Sequence, residues 1–302
     1  MNNLSRLTWL LVGALFAAAV LAPCLYLGMQ WAAGHWGGAA LHYLAGHPFT
    51  RYFNRVFQLG VLIGITAIIW KKNRNEGARS LETFGLGNDQ RLKPLLTGLG
   101  LSLFLFALYA AAVFVMGWQR LRPTPALSDG IGGIVVIIGT ALGVAVVEEA
   151  FFRGYFYGLC RSELGMSRAI RINVLLFAVV HYVRSPQENF AGGIHWNSGF
   201  RIFQLTLQSF ANPSEIAGGF LVLMLVAWML CWTVERTGSV YLAIGLHAGW
   251  IIILKFNFAW MQHVAPWPTW VLGGGDLRQG VLAMIPLGIE FWALRWWFGK
   301  KQ

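Results

Sequence analysis

Apolar runs close to the length of a bilayer crossing recur along this chain, set apart by charged or turn-rich breaks, and nothing else in it limits the possible folds so strongly. The runs lie near 8–30, 54–70, 95–117, 131–159, 170–184, 216–234, 239–256 and 279–298. Two are short, and the set scatters about the ~20 residues that a helix needs to cross ~30 Å of hydrocarbon. The expected fold is therefore all-α: a polytopic membrane bundle of about eight transmembrane helices, forming one integral-membrane domain over residues 1–302. Charge content agrees, since only 12% of the residues are charged against roughly 25% in an ordinary soluble domain. The 15 Trp and 36 Gly suit interfaces and close helix packing respectively.

A net charge of +11 raises the question of nucleic acid, which a clustered cationic face would bind. Here the cations fall between apolar runs, a distribution that points to the positive-inside rule and to anionic lipid headgroups, with no nucleic-acid partner. The densest block, "KKNRNEGARSLETFGLGNDQRLK", holds Lys71, Lys72, Arg74, Arg79, Arg91 and Lys93 and is assigned to the cytoplasm. Arg6, the Arg161/Arg168/Arg171 turn, Arg236 and Lys300/Lys301 then fall on the same side, so both termini are expected inside. The first run exceeds the ~7–15 residues of a signal-peptide core and reads as an uncleaved span. Between residues 185 and 215, Pro, Asn and Gly surround the amphipathic piece "FRIFQLTLQSF", which reads as a loop with an interfacial or re-entrant helix. Cys24, Cys160 and Cys231 stand singly, without metal or redox spacing, and read as packing residues.

Ionisable side chains inside membrane spans are costly and mark function by default. Glu148, Glu149 and Arg153 lie in the fourth run, His181 in the fifth and His247 in the seventh. Counted from the cytoplasmic anchors at 1.5 Å per residue, Glu148 lies ~20 Å, His181 ~15 Å and His247 ~17 Å deep. Three separate spans thus bring polar groups to nearly one level. Glu149 and Arg153 stand four apart, on one helix face, where carboxylate and guanidinium can pair. Glu148 is turned about 100° away, which leaves that carboxylate for general-base activation of a water.

These residues carry a resemblance. "EEAFFR" resembles the EExxxR motif of the CAAX protease and bacteriocin-processing (CPBP/Abi) family of glutamate-type intramembrane proteases. "FAVVH", Phe177 to His181, is similar to its FxxxH motif, and "TGSVYLAIGLHAGW" to its third region, where a helix-opening Ser precedes a His. The likeness runs over roughly 131–256, read as the catalytic core. It implies an eight-helix bundle with a membrane-embedded polar cavity and an intramembrane endopeptidase acting on a membrane-associated peptide or protein tail. It implies further that Glu148 with His181 activates the attacking water, that Glu149 and Arg153 brace the site, and that His247 stabilises the oxyanion. The family often places Asn or Asp four residues after that His, where this chain has Ile251. Trp250, three residues after His247, shares its helix face and offers an indole N–H as a substitute donor.

No cofactor is expected. The alternative is zinc held by Glu148, His181 and His247, an open set of one carboxylate and two imidazoles, while the lack of any HExxH leaves a zincin reading unsupported. Two other functions compete: a non-enzymatic scaffold or immunity-type partner that keeps the protease fold, motivated by Ile251, and a proton-coupled transporter, against which the absence of an internal repeat counts. The expected location is a bacterial inner membrane.

Overall fold

Apolar runs of this length become helices, and the computed structural model describes them over residues 3–76, 84–87, 91–123, 130–182, 190, 193–208, 213–264, 267, 269–272 and 280–299. The elements are α1 (Asn3–Trp36), α2 (Ala39–Ala45), α3 (Phe49–Glu76), α4 (Leu92–Val115), β1 (Gln119–Leu121), α5 (Ile131–Glu149), a π segment (Ala150–Phe156), α6 (Tyr157–Leu164) and α7 (Met166–Tyr182). They continue with α8 (Ser198–Gln208), α9 (Pro213–Thr237), α10 (Tyr241–Trp260), β2 (Met261–His263), α11 (Thr269–Leu272), a 3-10 turn (Val281–Ala283) and α12 (Met284–Gly299).

Among the described residues, six helical stretches are long and apolar enough to cross a membrane: Val12–Trp36, Leu92–Val115, Ile131–Leu164, Ile216–Thr237, Tyr241–Trp260 and Val281–Gly299. Of the two other expected spans, residues 54–70 are helical inside α3 and residues 170–182 inside α7, while 183–184 lie outside the described residues; neither is among these six. In α7 the helix has only 17 residues and includes Arg168 and Arg171. The all-α polytopic membrane architecture holds, and these six are the candidate spans among the described residues.

Contacts within the chain divide it into two compact units, one of residues 1–78 and 180–212 and the other of residues 79–179 and 213–302. In the first, α1 lies against α3 and α8. Ala18, Ala19 and Ala22 form a smooth buried strip that receives Phe49, Phe53 and Ile202. Gly199 opens α8 against the backbone of Ala19, where any Cβ would collide. Ile202 is fully buried while Arg201, Phe203 and Gln204 are exposed, the amphipathic pattern that predicts an interfacial helix.

The second unit is organised around α10. Gly245 and Gly249 form a small-xxx-small face, and a Cβ on either would strike α4, at the Leu95 carbonyl or the Ser102 hydroxyl; one on Gly98 would strike the Leu242 carbonyl. These contacts advance together along both helices, so α4 and α10 run parallel with their backbones touching, as small residues allow in lipid. Helix α5 crosses α10 in the opposite sense: Ala145 packs with Ile244 and Ala248, and Ile137 and Ala141 pack with Ile252 further along. Just past the ends of α4 and α10, β1 and β2 pair antiparallel with Gln119 opposite His263, which ties the two helices together. The arrangement sets His247 near the middle of α10 and Glu148 and Glu149 at the end of α5.

Candidate active site

Helix α5 does not stop at the glutamates; it widens into the π segment and resumes as α6. Such π-bulges leave helix carbonyls oriented for outside donors and recur at functional sites. Here the Phe152 carbonyl accepts the Tyr157 N–H and also the Asn173 Nδ2 of α7 at 2.6 Å. Asn173 is fully buried, and its Oδ1 in turn accepts the Cys231 thiol of α9 at 3.3 Å. On the other side, Gly154 faces the backbone of Phe84 so closely that a Cβ there would overlap it. The π segment is thus gripped from two directions, which fixes where Arg153 points.

The guanidinium is enclosed. Arg153 Nη1 donates to Glu149 Oε1 at 3.0 Å, with both side chains wholly buried, and its Cζ lies 4.2 Å from the centre of the Phe177 ring, a cation–π contact of the kind desolvation strengthens. Glu149 Oε1 has a second partner, His247 Nδ1 at 2.7 Å. A carboxylate oxygen that already accepts from arginine also accepts here, so Nδ1 carries the proton in the neutral ring and Nε2 is the free position. Nε2 faces Glu148 Oε2 at 4.0 Å, and Glu148 retains 28% exposure where Glu149 has none. The two adjacent glutamates therefore occupy different environments. One is sealed between arginine and imidazole, and the other is partly exposed on the Nε2 side of the same imidazole.

Around His247 the walls are aromatic. Phe177 stands edge-on with ring centroids 6.1 Å apart, and Trp250 lies 6.2 Å away at a tilt of 48°. The Trp250 indole N–H does not point into the site; it donates to Glu290 Oε2 of α12 at 2.8 Å. Ile251, at the position where the family pattern often has a donor, packs with the apolar cluster of Ile137, Ala141 and Ile252. Ser239, the helix-opening residue of the third motif, accepts the Tyr241 N–H through its hydroxyl.

Of the residues singled out from sequence, Glu148, Glu149, Arg153, His247 and Trp250 come together in the second unit. His181 lies in the last turn of α7, half-buried, four residues after Phe177, and by contacts it belongs to the first unit. Among the described residues, no group of three or more His, Cys, Asp or Glu is arranged to hold a metal ion. Three residues escaped the sequence reading. Asn173 and Glu290 are buried polar side chains within largely apolar stretches of α7 and α12, and the rule that marked the glutamates applies to Glu290 equally. Glu235, which accepts from Tyr157 at 2.8 Å and pairs with Arg161 at 2.9 Å, looked like an ordinary residue at a helix end.

Residues 130–253 match the family model described as type II CAAX prenyl endopeptidase Rce1-like. The match contains all three motifs and bears out the family resemblance they carry. No curated protein and no solved structure matches the chain.

Proposed function

We propose, proceeding from the Rce1-like identity of residues 130–253, that this integral membrane protein is a glutamate-type intramembrane endopeptidase. The match to that family supports a membrane protease with a peptide or protein substrate. The finer reading is that Glu148 is the general base and that the substrate is a membrane-associated tail. The observation that carries it is the relation of Glu148 to His247: two potential proton carriers 4.0 Å apart, the imidazole fixed from behind by Glu149.

At that separation one water molecule can hydrogen-bond to both groups. Glu148 takes a proton from the water as its oxygen attacks the scissile carbonyl carbon, in the manner of a general base. Negative charge then develops on the carbonyl oxygen, and His247 in its doubly protonated form, with Nδ1–H given to Glu149, donates Nε2–H to it, stabilisation of the kind that is often a large catalytic term. Collapse of the tetrahedral intermediate breaks the C–N bond, and the proton held by Glu148 passes to the leaving amine. His181, from the FxxxH motif, assists Glu148 in activating the water. Glu149 and Arg153 touch no reacting atom; they hold His247 in place and neutralise one another. No metal takes part in this scheme. The termini and the cationic 71–93 segment face the cytoplasm of a bacterial cell, with anionic lipids around the cationic rim.

Purified protein, assayed beside Glu148→Gln against membrane-anchored peptides including one with a prenylated CAAX tail, provides the test. Cleavage by the wild type and none by the variant is the expected result. An inert wild type, or a variant as active as wild type, would refute the reading.

A further inference from the structure

Outside the family-matched stretch, α12 brings one more carboxylate into the interior. Glu290 is fully buried within a candidate span, where an ionisable side chain is expensive and calls for a reason. Among the described residues its hydrogen-bond partner is the Trp250 indole, at 2.8 Å on Oε2, and Oε1 makes no hydrogen bond. No cation pairs with it there, so a simple ion-pair role does not account for it.

What Glu290 holds is the side chain beside His247. Trp250 is 3% exposed and stands between two rings, with Phe106 at 6.2 Å and the imidazole at 6.2 Å. The imidazole is pinned at Nδ1 by Glu149. Rotation of the ring about that bond is limited by its aromatic neighbours, Phe177 and Trp250. Phe177 is braced by Arg153 above its face. Trp250 has a single polar atom, and Glu290 holds it.

We infer that Glu290 is a positioning residue: through the Trp250 indole it fixes the plane of the His247 imidazole, and so the direction of Nε2 toward Glu148. The inference rests on the proposed hydrolytic role of that pair. Misplacing a catalytic group by about 1 Å can cost on the order of 10²-fold in rate, so removing the acceptor lowers kcat by ~10- to 100-fold and leaves KM within about twofold.

Two readouts separate this inference from the proposed function. In detergent-solubilised protein labelled with 13C-histidine, the His247 resonance is identified by its loss in His247→Gln. Glu290→Leu keeps the indole, so its ring-current effect on that resonance reports the relative orientation of the two rings. The resonance shifts in Glu290→Leu and returns to the wild-type position in Glu290→Gln, whose amide oxygen restores the acceptor. With a quenched fluorescent peptide ending in a prenylated CAAX tail, Glu290→Leu loses kcat and Glu290→Gln recovers it. An inert wild type defeats the peptidase reading for that substrate, and the resonance still decides the positioning. An unmoved resonance in Glu290→Leu, or a displacement in Glu290→Gln as large as in Glu290→Leu, overturns the inference. Should Glu290→Leu fail to fold, Trp250→Phe, which loses the donor and keeps the carboxyl, is read instead, and wild-type kcat there overturns it too.

Discussion

One oxygen of Glu149 takes both Arg153 Nη1, at 3.0 Å, and His247 Nδ1, at 2.7 Å. The consequence is that the buried ion pair and the imidazole are a single unit. Removing one partner of a buried pair leaves an uncompensated charge and costs about 3–5 kcal/mol. Arg153→Ala is expected to lose stability on that scale, read as a large fall in the thermal midpoint in detergent. Glu149→Gln is expected to lose activity as well as stability, because a neutral amide holds Nδ1–H more weakly than a carboxylate does. Equal stability of Arg153→Ala and wild type would mean the pair is not the clamp described.

Glu148 stands apart from that unit. It is 28% exposed where Glu149 is sealed, and its Oε2 lies 4.0 Å from His247 Nε2, a separation beyond a direct hydrogen bond. Glu148→Gln should therefore abolish cleavage and shift the thermal midpoint little. His181→Ala should also abolish cleavage in a folded protein. Loss of folding in Glu148→Gln, with activity proportional to the folded fraction, would argue that its role is structural.

How far this could be read from sequence differs residue by residue. The Glu149–Arg153 pair was legible because spacing on a helix determines which side chains meet, and His247 was legible because depth in a span follows from counting residues. The contact between Glu149 and His247 was not, since it depends on how α5 crosses α10, and no local pattern states that angle. The π segment was illegible for a related reason: its backbone looks helical in composition, and the acceptor geometry depends on Asn173, which arrives from another helix. Trp250 shows the limit most directly. Helical spacing put it beside His247 correctly, yet the direction of its N–H is set by Glu290, forty residues on.

Asn173 gives the next prediction. Its amide bridges the Phe152 carbonyl and the Cys231 thiol with every atom buried. Asn173→Leu keeps the branched shape of the side chain, removes one of the two donors to the Phe152 carbonyl, which retains the Tyr157 N–H, and takes the acceptor from the Cys231 thiol; each such hydrogen bond is worth about 0.5–1.5 kcal/mol net. The π segment that carries Arg153 should loosen, seen as faster amide hydrogen exchange at residues 150–156 than at residues 241–250 of the same variant. Uniform exchange across both segments would show that Asn173 supports the fold in general and the π segment no more than the rest.

Topology can be checked without any assay of activity. Single cysteines introduced in a background lacking Cys24, Cys160 and Cys231 are labelled from outside intact cells by an impermeant reagent. The clustering of Lys and Arg over 71–93 predicts that these positions stay unlabelled while positions in 257–278 react. Labelling of 71–93 as strong as that of 257–278 would invert the orientation.

The remaining prediction concerns the oxyanion. Ile251 follows His247 by four residues and so lies on its helical face, but it packs with Ile137, Ala141 and Ile252 and offers no donor. Trp250 cannot make up the deficit in this arrangement, because its one N–H is given to Glu290. The proposed oxyanion site therefore has His247 and lacks the second donor common in the family. A single well-placed donor is worth ~2.7–4 kcal/mol, or roughly 10²–10³ in kcat. Ile251→Asn should raise turnover of a cleavable peptide, by less than that limit because an amide placed by substitution is not aimed as well as an inherited one. The same change sets a polar group against an apolar cluster, and the desolvation it suffers, about 1–3 kcal/mol on protein scales, should lower the thermal midpoint. A faster but less stable enzyme is thus the signature of a donor gained. Activity falling in step with stability would show instead that this chain stabilises its transition state from some position other than 251.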